Sequence, residues 1–276
     1  MRKVFLALLF LTFSMQAQLK VMTYNLRVDF GGDGENNWQF RREMLAGQIK
    51  FHQPDFLGTQ EGKANQLAYL LKQLPGYGYI GISRDSSDTV GEFSAIFFNM
   101  AKFNVIKQST FWLSDTPEKK SKGWDAALER ICTYALFEEI GTGQRLFVFN
   151  THLDHIGETA RANSVKLIQQ KINELNTDKL PIILMGDFNA EPNSGPYKIA
   201  TQSLADSRKV SKDKPIGPAG TFNGFKFDEP VTKLIDYIFV SNDFEVLKYA
   251  VLTDSKDGRY PSDHLPVAAI IKLQRK

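Results

Sequence analysis

Residues Pro181-Ile-Ile-Leu-Met-Gly-Asp-Phe-Asn-Ala190 put five apolar residues in a row, then a glycine, then an acid and an amide flanking one phenylalanine. Such a run reads as a deeply buried strand, so the chain must fold with enough apolar surface to cover it. The strand ends on Asp187 and Asn189. Both are ordinary turn residues, and they stay so unless other segments bring partners to them.

The chain can supply the cover. It has 276 residues, 42% of them hydrophobic and 24% charged, which is the composition of a globular protein with a sizeable core. Arg2 and Lys3 precede an apolar stretch at 4–13, and small and polar residues follow to 18. That three-part pattern predicts a secretory signal peptide over 1–18 and a secreted or periplasmic protein. No second long apolar run follows, so stable insertion into a membrane is not expected. Without Arg2 and Lys3 the formal charge falls from +3 to +1. A charge so close to zero gives no general attraction to nucleic acid. Cys132 is the one cysteine, so no disulfide can form within the chain. It lies in an alternating strand-like run and reads as a packed thiol.

No internal repeat or long linker divides the chain, and residues 19–276 read as one domain. Strands are predicted at 19–28, 55–60 and 180–185, with helices at 38–52, 64–74 and 159–175. The last of these shows Val165, Ile168, Ile172 and Leu175 at helical spacing. Between 77 and 149 several strand-like runs appear without a helix, and further strands are predicted at 233–240, 245–252 and 265–273. This mixture argues for α/β layers with more than one sheet rather than a regular barrel. Residues 208–230 are rich in Lys, Gly and Pro and read as a long surface loop.

Polar residues gather at the strand ends. Asn25 comes late in the first strand and Glu61 just after the second. Asn150, His152 and Asp154 end another, Asp187 and Asn189 follow the opening run, and Asp236 sits within an apolar strand. Tyr260-Pro-Ser-Asp-His-Leu-Pro266 adds Asp263 and His264. A buried carboxylate such as Asp236 requires a hydrogen bond, a counter-charge or a metal. Asn, Asp and Glu offer hard oxygen donors suited to Mg²⁺, with Mn²⁺ or Ca²⁺ as alternatives. A hard cation beside two histidines and several amides is equipment for phosphoryl transfer.

These residues, in this order, resemble the endonuclease/exonuclease/phosphatase superfamily of metal-dependent phosphoesterases, which includes pancreatic-type deoxyribonuclease, deadenylases and inositol polyphosphate 5-phosphatases. The resemblance runs from Thr23-Tyr-Asn-Leu-Arg27 to Ser262-Asp-His264 and implies a four-layer α/β sandwich, two packed mixed β-sheets flanked by helices. It implies that Asn25 and Glu61 bind the metal with Asp263 nearby, and that Asp187 orients the attacking water. Asn189 would help to place that water, and His264, held by Asp236, would contact the scissile phosphate. Glu92 would pair with the second histidine, His152. Asn150 and Arg130 would bind substrate, although Arg130 also fits a surface salt bridge. Segments 37–42, 111–117 and 123–127 look like a bacterial branch of the family. Trp112 and Trp124 fit either a cleft lining or core packing, and Thr221-Phe-Asn-Gly-Phe225 is the candidate substrate-facing segment.

The expected function is hydrolysis of a phosphate ester. The first reading is a phosphodiesterase or nuclease using in-line attack of an Asp-oriented water. The alternative is a phosphatase or phosphodiesterase acting on a small molecule, a sugar phosphate or a phospholipid head group. Lys209, Lys212, Lys214 and Lys226 could form a basic patch for a nucleic acid or could simply be a solvated loop. A non-catalytic protein keeping the fold would lack some of the acids above, and none is missing.

Overall fold

A computed structural model describes residues 18–274, and the predicted signal peptide lies outside the described residues except for Gln18. The opening run forms β8 (Ile182–Asp187), and both of its faces are covered. Ile183 and Met185 enter the core between two sheets, whereas Ile182 and Leu184 pack on the opposite side against Val165, Ile168 and Ile172 of α3 (Glu158–Leu175). A strand buried on both faces cannot alternate apolar with polar residues, which accounts for the unbroken run. Each such side chain contributes about 1.5–3 kcal/mol relative to exposure.

Two six-stranded sheets pack face to face. The first contains β1 (Gln18–Asn25), β2 (Phe56–Gln60), β3 (Tyr77–Ile80), β4 (Ile96–Asn99), β11 (Phe244–Val251) and β12 (Val267–Leu273), in the order β11-β12-β1-β2-β4-β3. The second contains β5 (Phe103–Trp112), β6 (Ile131–Glu139), β7 (Arg145–His152), β8, β9 (Ala205–Asp206) and β10 (Asp236–Val240), in the order β5-β6-β7-β8-β10-β9. Each sheet is mixed, with β1 parallel to β2 and β7 parallel to β8 among antiparallel neighbours. Helices α1 (Trp38–His52) and α2 (Ala64–Gln73) cover the outer face of the first sheet through Leu45, Ile49, Leu67 and Leu70. Helices α3 and α4 (Gly195–Ala200) cover the second. This is the expected four-layer sandwich.

Some boundaries move. The first strand stops at Asn25 because Arg27 turns into the left-handed region at φ 56°. The strand expected from 233 begins at Asp236. Residues 208–230 are mostly irregular, but they open with the tail of a short helix, α5 (Ser207–Val210). The short elements α4, β9 and α5 carry too few residues for periodicity to reveal them. Cys132 is buried, and burial pushes its thiol up, as a packed thiol requires. No helix among the described residues is long and apolar enough to cross a membrane.

Asn150, expected to bind substrate, instead joins the sheets. From β7 its Nδ2 donates to Thr59 O and Ala95 O, both at 2.9 Å, and its Oδ1 accepts from Gln60 Nε2 at 2.7 Å. It is fully buried and its amide is spent on these partners, so nothing is left for a ligand. The close approach depends on Gly58, where a Cβ would lie 2.6 Å from Asn150 Oδ1. Replacing Asn150 with Ala removes three hydrogen bonds between the sheets, leaving Gln60 Nε2 only Thr23 Oγ1 and Ala95 O only the Thr59 donors. Asn150→Ala should lower stability by about 2–3 kcal/mol, read as a reduced urea midpoint with an unchanged slope.

Candidate active site

Strand register assembles the centre. His152 on β7 lies opposite Asp187 on β8, and Asp187 lies opposite Asp236 on β10. Three polar side chains therefore stand abreast at the edge of the inter-sheet core. Gly186 makes this possible: its φ is 149°, and a Cβ there would meet Thr151 O at 2.0 Å. The other sheet brings Asn25 to the same place, because β1 and β2 run parallel and end at one level. Its Nδ2 donates to Glu61 Oε1 and to Asp187 Oδ2, each at 3.0 Å.

His264 completes the cluster. Its Nδ1 is 2.9 Å from Asp236 Oδ2, and its Nε2 is 3.7 Å from Asp187 Oδ2. Burial works against a charged ring, but the carboxylates of Asp236 and Asp187 outweigh it and push His264 up to about 10. Burial and then the neighbouring Asp236 push the Asp187 carboxyl up. His152 moves the opposite way. Burial, then the charges of Arg130 and His264, hold it well below the ordinary imidazole range. The two rings thus divide, one charged and one neutral, near pH 7.

The expected Glu92–His152 pair is not formed. Glu92 accepts from Arg84 Nη2 at 2.8 Å, and no hydrogen bond links it to His152. The histidine lies 3.1 Å from Asn189 Nδ2 and 3.5 Å from Asp187 Oδ2. A guanidinium offers Glu92 a full charge and a better geometry than a neutral ring. Arg130 is not in a surface salt bridge either: it is buried, with Nε 3.4 Å from Asp154 Oδ2 and Nη2 3.0 Å from His155 Nδ1. Burial alone would raise Asp154, but backbone N–H groups of Gly157, Ala127 and Ile156 and the charge of Arg130 hold it below the usual carboxylate range.

A cavity of about 370 Å³ opens over the cluster. It is lined by Glu61, Asp187, Asn189, Asp263, His152 and His264, together with Arg27, Arg84, Glu92, Arg130, His155, Phe222 and Lys233. Arg27, Arg84 and Lys233 escaped the sequence reading because a lone cation carries no spacing signal, and His155 has no motif to single it out. Phe222 belongs to the segment singled out as substrate-facing. Trp112 does not reach the cavity but donates from Nε1 to Arg84 O at 2.8 Å, which ties down the Arg84 loop. Glu61, Arg27 and Asn189 all take positive φ, at 60°, 56° and 45°. Such backbone costs about 1–3 kcal/mol per residue and persists where the surroundings impose it.

Two places can be tested for a cation. Asp187, Asp236 and His264 bring one ligand atom each within 4.8 Å of one another, so they could hold a metal. One of the two His264 nitrogens, Nδ1, is however already engaged with Asp236, and this bond also occupies that carboxylate's Oδ2. Across the cavity, Glu61 and Asp263 present two carboxylates with no hydrogen bond between them. Burial pushes Asp263 up and the charge of Glu61 adds to it, against the pull of His264 and Arg27. Two like-charged oxygen donors in one cavity fit a hard divalent cation. Asn25, expected as a ligand, turns its oxygen to Arg27 N at 3.0 Å and its amide N–H groups to the acids, so in this arrangement it orients Glu61.

The profile of the endonuclease/exonuclease/phosphatase family matches residues 22–264. The chain belongs to this family. A family member from Bacteroides thetaiotaomicron has a solved structure that superposes with a TM-score of 0.90 at 40% identity, covering 94% of this chain and 99% of that one. A mannosyl-6-phosphatase from the same bacterium superposes with a TM-score of 0.87 at 41% identity, covering 92% and 99%. Among curated sequences, rat Nocturnin is 26% identical over 91% of this chain and 65% of its own length. The CCR4-Not complex 3'-5'-exoribonuclease subunit Ccr4 of Yarrowia lipolytica is 23% identical over 87% of this chain and 44% of its own length. The chain thus spans less than two thirds of both these curated relatives.

Endonuclease/exonuclease/phosphatase family members are phosphoesterase hydrolases, and the cavity holds the groups such chemistry requires. The charge division between the rings has a measurable sign. His264 has a folded pKa of about 10 against an ordinary 6.5, so its stabilising effect is complete below about pH 6.5 and is lost as pH rises through 10. In metal-free protein, NMR titration should find His264 still protonated at pH 8 and His152 neutral at pH 7. Asp236→Asn should bring the His264 midpoint down by more than one unit.

Proposed function

We propose that the protein is a Mg²⁺-dependent phosphatase that removes phosphate from a small phosphorylated molecule of the sugar-phosphate class. The observation that carries this reading is where the cations lie. Arg27, Arg84, Arg130 and Lys233 line a cavity of about 370 Å³, which suits a small dianionic ester. Three of the four loop lysines that could have tracked a polynucleotide are engaged elsewhere. Lys212 pairs with Glu245, Lys226 pairs with Glu229 at 3.0 Å, and Lys209 sits over the Tyr197 ring at 4.9 Å. The 41% identity to a mannosyl-6-phosphatase supports the same substrate class.

The residues divide the work as follows. Asn189 donates both amide hydrogens, to Leu153 O and toward His152 Nε2, which leaves its Oδ1 unbonded within the protein. That oxygen and Asp187 Oδ2 are two acceptors suited to holding one water, from which the Asp187 carboxylate would draw the proton. Charged His264 donates from Nε2 to a phosphate oxygen, with Asp236 holding the ring and its charge. Arg84 and Arg130 take further phosphate oxygens, and Glu92 steadies Arg84. A divalent cation held by Glu61 and Asp263 would neutralise charge building on the phosphoryl group.

The exoribonuclease relative favours a second reading, a diesterase acting on nucleic acid. One panel separates the two: hexose 6-phosphates, an aryl phosphate, a bis-aryl phosphate and single-stranded RNA, each with Mg²⁺ and with chelator. The phosphatase reading expects chelator-sensitive phosphate release from the monoesters, fastest for a hexose phosphate. Nucleotide release from RNA with inert monoesters would contradict it. Asp187→Asn and His264→Ala should each lower kcat about 10²–10⁴-fold while thermal unfolding stays cooperative.

A further inference from the structure

Arg41 lies in α1, outside the cavity, and is 3% exposed. Its partners are four carbonyl groups and no carboxylate. Nη1 donates to Leu26 O at 2.5 Å and to Pro261 O at 3.1 Å, Nη2 to Arg27 O at 2.7 Å, and Nε to Asn36 O at 2.9 Å. The guanidinium lies between two rings, 5.2 Å from the Trp38 centroid and 5.8 Å from that of Phe225. Burying a charge without a contacting counter-charge is costly, and here every contact is a backbone oxygen of a particular segment.

Two of those segments adjoin the oxygen donors. Leu26 and Arg27 directly follow Asn25, and the next residue, Val28, donates its N–H to Glu61 Oε2 at 2.9 Å. Pro261 begins the turn that presents Asp263 and His264. One further bond, Ser262 Oγ to Asn25 O at 2.7 Å, ties the same two segments together. Around the far side, Asn223 and Gly224 donate to Asp263 O at 2.8 and 3.0 Å, and their neighbour Phe225 closes over the guanidinium. The planar fork of Arg41 therefore ties the Leu26–Arg27 segment, beside which Glu61 is bonded, to the Pro261 turn that carries Asp263.

We propose that Arg41 is a positioning residue that fixes the spacing of Glu61 and Asp263 and thereby the affinity of the site for its divalent cation. The proposal rests on the reading of Glu61 and Asp263 as cation ligands. Lysine in its place would keep the charge but would supply a single point of donation instead of a rigid fork.

The test uses the full-length protein and Mn²⁺ alone, titrated by calorimetry, beside steady-state rates with an aryl phosphate over a range of Mg²⁺. Arg41→Lys should bind Mn²⁺ at least tenfold more weakly. At limiting Mg²⁺ its rate should fall, and saturating Mg²⁺ should restore kcat with little change in KM, a recovery that a merely structural role does not produce. If Arg41→Lys does not fold, Phe225→Leu, which leaves the fork but uncovers it, should weaken Mn²⁺ binding in the same sense. Folded variants that bind Mn²⁺ as tightly as the wild type overturn the role of Arg41 and leave the cation site standing. A wild type that binds no Mn²⁺ overturns the cation site and this proposal together.

Discussion

Two carboxylates, Asp187 and Asp236, stand opposite one another on neighbouring strands, both 1% exposed, and the rest of the centre is arranged around that fact. Two unscreened negative charges in so dry a place would be untenable. His264 answers the charge from one side. Asn25 and the backbone N–H of Asn189 answer it from the other, at 3.0 and 2.9 Å. What results is a carboxylate held in a defined direction and an imidazole held protonated, before any substrate arrives. Such prior ordering lets a polar site work without reorganising as charge moves.

The same economy shapes the ground beneath the site. Asn150 bonds the sheets across Gly58, Gly186 lets β8 press against Thr151 O, and the apolar faces of β8 leave that strand no freedom to slip. A one-residue shift of register would turn Asp187 out of the centre and a core residue into it. The cavity wall is softer in design. Arg84, Arg130 and His155 sit on loops joined by ion pairs and hydrogen bonds, and here a family member can alter what it accepts without disturbing Asp187 and Asn189.

Most of the layer order was legible because apolar spacing reports burial, and the strand ends were legible because acids and amides stood where a core should have continued. Asp187, Asn189, Asp236 and His264 come together as the motifs implied. Asn150 misled because an amide at a strand end looks the same whether it meets a ligand or the next sheet. Glu92 misled because its partner, Arg84, stands eight residues away in an irregular loop that no periodicity marks. Arg41 was invisible as more than a helix residue, since its partners are backbone carbonyls and backbone partners leave no trace in composition. The acids nominated for a metal could be named from chemistry, but the inward turn of the Asn25 oxygen depends on the left-handed backbone at Arg27, which only the fold reveals.

The central claim is a division of labour: Glu61 and Asp263 hold the cation, while Asp187, Asp236 and His264 hold water and protons. Anomalous scattering from a crystal of the full chain soaked in Mn²⁺ tests it directly. The account predicts one strong peak within coordination distance of the Glu61 and Asp263 carboxylates, with His264 Nδ1 still bonded to Asp236. A peak among Asp187, Asp236 and His264, with that bond broken, would contradict it.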